Sequence, residues 1–112
     1  MGITKITAVE DFQRIKGENK IFFLLKNSTT CPISSQAYEE YQNFSEDYGD
    51  VACYYLNVQE ARPLSNTISE HYEIKHESPQ AFLIKEDRVL WHHSHWNITY
   101  SSLKDVYIKN VQ

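Results

Sequence analysis

The residue pattern points to an α/β chain with a mixed central β-sheet and helices on both faces. Three features carry this expectation. Ile21-Phe22-Phe23-Leu24-Leu25 is a solid apolar run. Its apolar residues do not alternate, so both faces of that strand are covered. Val51 to Val58 is a second run, rich in β-formers, and an amphipathic helical pattern follows each of the two runs. Late in the chain, Ala81-Phe82-Leu83-Ile84 and Val89-Leu90-Trp91-His92 flank the polar Lys85-Glu86-Asp87-Arg88, which is a hairpin signal.

Taken in order, Ile3 to Ile6 is a short strand candidate. Thr7 and Glu10 read as a capping box opening a helix with Val9, Phe12 and Ile15 on one stripe, which Gly17 closes. Lys20 to Asn27 is the first central strand. The next helix runs from about Ser34 to Tyr48, with Ala37, Tyr41, Phe44 and Tyr48 on its buried stripe. Gly49-Asp50 stops it, and the strand Val51 to Val58 follows. A third helix spans about Arg62 or Pro63 to Tyr72, since Pro63 fits a first turn. After the hairpin, Thr99 or Ser101 can cap a last helix bearing Leu103, Val106, Tyr107 and Val111, with Trp91 and Trp96 expected to pack against a helix. The order is β-α-β-α-β-α-β-β-α. Strand–helix–strand units imply parallel neighbours with right-handed crossovers, and the hairpin adds antiparallel ones.

At 112 residues the chain reads as one domain, residues 1–112, large enough for a core without staples. A net charge of −4 without a basic stripe argues against nucleic acid. No apolar run approaches a membrane span, and the N-terminus lacks a signal-peptide pattern. With only two cysteines, Cys31 and Cys53, the expected compartment is a reducing cytoplasm.

The stretch Thr29-Thr30-Cys31-Pro32-Ile33-Ser34 stands where the first central strand gives way to a helix. A helix N-terminus carries partial positive charge and free N–H groups, which favour a thiolate. Thiolate is the nucleophile, so Cys31 is the candidate reactive group. Pro32 suits the first helical position, and Thr29 or Thr30 can cap. Ser34 can donate a hydrogen bond to the sulfur or pair with backbone at the helix start. Lys26, at the end of the strand, is the candidate cation for lowering the thiol pKa. Cys53 sits near the start of the next parallel strand, on the order of 15 Å away by strand length, too far to bridge Cys31. It reads as a buried structural thiol. His92-His93-Ser94-His95 invites a metal reading, but neither cysteine joins it at zinc spacing, so no metal site is expected. His71 and His76 suggest no role.

The element order, a cysteine at the start of the helix after the second strand, and Pro79 opening the hairpin resemble the thioredoxin fold over essentially the whole chain. Within it, Thr30-Cys31-Pro32-Ile33-Ser34, together with Trp91 to Thr99, resembles the monothiol bacilliredoxin C family. That resemblance implies removal of bacillithiol from mixed disulfides on client proteins in a stress setting, with bacillithiol as thiol co-substrate and no tightly bound cofactor. It implies a cis Ser78–Pro79 bond facing Cys31, which would offer Ser78 backbone groups to a client or thiol ligand. Bacillithiol carries a malate group, so its recognition should involve a cation or N–H donors, with Lys26 the best placed. Asn27, Thr29 and Thr30 could line the same loop, and Ser78 and Pro79 complete the expected substrate-binding residues. Ser34 occupies the fourth position of a C-x-x-C motif, and a hydroxyl cannot resolve a mixed disulfide. A second thiol, from bacillithiol or a reductase, must therefore regenerate Cys31. Two other readings stand beside this one: a non-enzymatic sensor or adaptor modified at Cys31 under stress, and a glutaredoxin-like iron–sulfur carrier.

Overall fold

The computed structural model describes residues 2–111. One five-stranded sheet has the order β1-β3-β2-β4-β5, formed by β1 (Thr4–Lys5), β2 (Ile21–Asn27), β3 (Ala52–Asn57), β4 (Gln80–Lys85) and β5 (Arg88–Ser94). β1 and β2 run parallel to β3, while β2–β4 and β4–β5 are antiparallel. The mixed sheet of the sequence reading is therefore correct. Four helices cover it: α1 (Val9–Glu18), α2 (Pro32–Asp47), α3 (Arg62–Tyr72) and α4 (Tyr100–Val111).

The unbroken apolar character of β2 follows from its central place. Phe22 and Leu24 enter one core with Phe12 and Ile15 of α1 and Leu64 and Ile68 of α3. Phe23 and Leu25 enter the other with Ala37, Tyr41 and Phe44 of α2 and Leu103 of α4. Each is under 2% exposed, so truncating one of these phenylalanines to alanine costs about 3–5 kcal/mol. That cost fixes the register, because a one-residue slip would exchange the two cores.

Several boundaries differ from the sequence reading, each for a local reason. The N-cap of α1 is Ala8, one residue later than Thr7. Asp11, not Glu10, therefore reaches back to accept from the Thr7 and Ala8 N–H groups at 3.1 and 3.0 Å. Those bonds hold its carboxyl below the usual range. Gly17 does not end α1, whose C-cap is Asn19. Its side chain is tied to Ile15 O and Tyr54 Oη at 3.0 and 2.9 Å. The hairpin loop shrinks to Glu86 and Asp87, both at positive φ (52° and 61°). That backbone matches the twist of the flanking strands, and Asp87 is further held by Tyr72 Oη and His71 Nε2, each at 2.9 Å. β5 runs on to Ser94 and leads into a single 3-10 turn, His95–Asn97, on which Trp96 is 61% exposed. Only Trp91 packs inward, edge-on to Phe23.

Candidate functional site

Asn27 ends β2 level with Asn57 of β3. The chain then turns through Ser28, Thr29 and Thr30 and enters α2 with Cys31 as N-cap and Pro32 in the first turn. Proline fits there because the N–H it lacks would have had no helical acceptor. Neither Thr29 nor Thr30 caps the helix, since the cap position is the cysteine. The two threonines are instead braced by Gln59, a residue the sequence reading passed over. Its Oε1 accepts from the Thr29 N–H at 3.2 Å, and its Nε2 donates to Ser28 Oγ and Thr30 Oγ1 at 2.8 and 3.3 Å.

Cys31 is partly exposed and is not in a disulfide. Its thiol is held below the ordinary value, chiefly by the Ser34 N–H. Partial desolvation opposes this, and the Ile33 N–H and the Ser34 hydroxyl add to it. None forms a full capping bond to the neutral thiol, so their stabilisation is directed at the thiolate. Ser34 Oγ is buried and has no hydrogen-bond partner among the described residues. The hydroxyl therefore pairs with no backbone group at the helix start.

Lys26 does not serve this site. It lies on the α3 side of β2, fully buried. Its Nζ donates to Ser65 O at 2.9 Å and Ser69 Oγ at 2.7 Å, and lies 3.3 Å from His76 Nδ1. Burial lowers its pKa to about 8. The two-residue period of a strand explains the correction: Leu25 faces the α2 side of the sheet, so Lys26 faces the other. His76 thereby gains a role as a partner of the buried ammonium, and its own pKa is lowered by burial and by that charge.

The Ser78–Pro79 peptide is cis. Gln80 pairs with Lys26, so Pro79 stands one step further along, opposite Asn27 at the edge from which the Cys31 loop leaves. Pro79 O accepts from the His95 N–H at 3.0 Å, and Ser94 Oγ donates to Glu77 Oε2 at 2.6 Å, joining this edge to the 3-10 turn. Ser78 Oγ is buried and unpartnered among the described residues.

On the β3 side of Cys31 lies an open cleft of about 320 Å³. Its walls are Asn27, Ser28 and Thr29, then Ser35 and Tyr38 of α2, then Tyr55 and Asn57 of β3. Thr30, Ser78, Pro79 and Lys26 are not among them. Ser35, Tyr38, Tyr55 and Asn57 escaped the sequence reading as site residues, because α2 and β3 contribute two each and no local motif marks them.

Cys53 is 3% exposed, and its register partner is Phe23. It lies four residues before the Asn27–Asn57 end, about 13 Å at strand rise, against the Cα separation of under about 7 Å that a disulfide needs. Burial pushes its thiol up to about 12. Among the described residues, no three His, Cys, Asp or Glu side chains stand together as metal ligands, and no helix is long and apolar enough to cross a membrane.

The strand order, a cysteine capping the helix after the central strand, and a cis-proline at the adjoining edge define a thioredoxin-fold protein with a single thiol at the site. The family model for monothiol bacilliredoxin BrxC matches residues 4–103. The chain belongs to that family. A solved structure described as a candidate oxidoreductase with a thioredoxin fold is 39% identical, with a TM-score of 0.89 over 94% of this chain and 93% of its own. Thioredoxin f from spinach chloroplast (18% identity, TM-score 0.76, 96% and 92% covered) shares the fold. So does a thioredoxin from Nicotiana alata (14%, 0.78, 98% and 93%).

Proposed function

We propose that this protein is a cytoplasmic monothiol thiol–disulfide oxidoreductase that removes bacillithiol from S-bacillithiolated client proteins. The observation that carries the reading is the pairing of Cys31 at the α2 N-cap with Ser34 one turn on, where a dithiol enzyme would hold its second cysteine. Support comes from the lowered thiol, the unpartnered Ser34 hydroxyl and the family match.

In this mechanism the Cys31 thiolate attacks the bacillithiol sulfur of a client–bacillithiol disulfide. The Cys31–bacillithiol disulfide forms as the client–bacillithiol bond breaks, and the client sulfur leaves as a thiolate that takes a proton from solvent. The Ser34 hydroxyl and the Ser34 and Ile33 N–H groups stabilise the anionic sulfur before attack and again when it leaves. With Cys53 out of reach, a second bacillithiol thiolate attacks the bacillithiol sulfur of the adduct. This releases oxidised bacillithiol and the Cys31 thiolate, and a reductase then returns two electrons to the disulfide. Bacillithiol is the thiol co-substrate, and the Ser78–Pro79 edge is the docking edge for the client chain.

The test is multiple turnover on a bacillithiolated client with bacillithiol and its reductase, followed by intact mass. One adduct on Cys31 and catalytic release of reduced client are expected. An adduct without turnover would leave only a modified sensor, and no adduct would refute the reading.

A further inference from the structure

The cleft on the β3 side of Cys31 has a definite hydrogen-bonding polarity. Lys5 Nζ donates to Glu60 Oε1 at 3.3 Å. The Glu60 carboxylate can only accept, so Asn57 turns its Nδ2 to it at 3.0 Å. Asn57 Oδ1 then faces Asn27, whose Nδ2 donates to it at 2.8 Å. A carboxylate at one end thus fixes the orientation of both amides. It leaves Asn27 Oδ1 as an acceptor with no partner among the described residues, on a residue 7% exposed. A buried acceptor left unpaired carries an uncompensated desolvation penalty, so a donor that meets it binds with advantage. The rest of the wall is hydroxyls and two tyrosine rings, Tyr38 and Tyr55, packed edge to face at 5.3 Å. No charged side chain lines it among the described residues, and the nearby Lys5 and Glu60 neutralise each other.

We infer that this cleft holds the uncharged, hydroxyl- and amide-bearing body of the small thiol attached to Cys31, with Asn27 Oδ1 accepting one of its N–H or O–H groups. The inference rests on the monothiol reading and deepens it. It reverses the expectation that a cation recognises the thiol's carboxylates, which are left to the open side of the cleft.

The test compares two disulfides at one pH: oxidised bacillithiol, and bis(2-hydroxyethyl) disulfide, which is too small to fill the cleft. In each reaction the Cys31 thiolate displaces one thiolate and forms one mixed disulfide, and intact mass follows the rate. Wild type is expected to react at least tenfold faster with oxidised bacillithiol. Asn27→Leu is expected to cut that advantage at least fivefold while its rate with the small disulfide stays within twofold of wild type. Should Asn27→Leu fail to fold, Ser35→Leu obstructs the cleft from an exposed position and is expected to do the same. An equal wild-type rate with both disulfides, or an advantage that survives in the folded variants, overturns the assignment while leaving the monothiol reading intact. No Cys31 adduct from either disulfide overturns both.

Discussion

Cys31 and Cys53 are the same side chain at two stations of one sheet. Cys31 caps a helix at the sheet's edge, where backbone N–H groups converge on the sulfur and hold its thiol below the ordinary value. Cys53 sits in mid-strand among Phe23, Tyr41 and Phe44, where burial pushes its thiol up to about 12. No charged side chain is among the causes at either station. The difference comes from orphaned helix donors at one and desolvation at the other, so backbone placement alone moves the two thiols in opposite directions.

The largest test of that contrast exchanges the reactive atoms. Cys31→Ala is expected to abolish adduct formation with oxidised bacillithiol. Cys53→Ala is expected to leave the adduct rate within about twofold, while lowering stability by roughly 1 kcal/mol through the small cavity left behind, measured by chemical denaturation. An adduct on Cys53 in native protein would erase the distinction.

Ser34→Cys is the next strongest. A second thiol one turn from Cys31 converts the site to C-x-x-C, so release of bound bacillithiol is expected to become independent of added thiol, leaving an internal disulfide visible by mass. Continued dependence on external thiol would mean that position 34 does not face the sulfur.

Ser34→Ala isolates the hydroxyl's share in the lowered thiol, beside the larger share of the Ser34 N–H. Removing a hydrogen bond of about 1 kcal/mol to the thiolate slows alkylation at pH 7 roughly three- to tenfold, with the midpoint of the pH–rate profile moved upward. An unchanged profile would assign the whole effect to the backbone N–H groups.

The smallest expected effect on Cys31 comes from Lys26→Met, whose alkylation profile should match wild type, because the ammonium faces the other core. Its stability effect has a definite pH dependence. The folded pKa of Lys26, about 8, lies below its ordinary 10.5, so the folded state disfavours the proton that the unfolded chain keeps. Between those values the unfolded state binds more protons, and wild-type stability rises with pH. Relative to Lys26→Met, wild type is therefore expected to be weakest below about pH 8 and to recover as pH approaches 10.5. Denaturation at pH 7 and pH 10 measures the difference.

The helices flanking β2 were legible because their periodicity is local, and so was the cysteine at a helix start, because strand end, proline and helix stripe are adjacent in sequence. Lys26 misled because its position at a strand end was visible while its face was not. Which of two covered faces a residue of an unalternating strand occupies depends on register with β3 and β4. Trp96 and Trp91, five residues apart, looked alike, but only the path of the 3-10 turn after β5 sends one outward. Gln59 and Asn57 carried no signal, since their partners lie about 30 residues away across a parallel crossover.

The sequence alone therefore determined the α/β order, the N-terminal station of Cys31 and the absence of a resolving thiol at position 34. These rest on residues within one turn or one strand of each other. Tertiary structure decided that the cleft beside the sulfur is uncharged, that Lys26 serves the opposite core, and that Asn27 keeps a free acceptor. Those outcomes depend on which side chains three distant segments bring together, and on a hydrogen-bond chain whose direction a carboxylate two hydrogen bonds away sets.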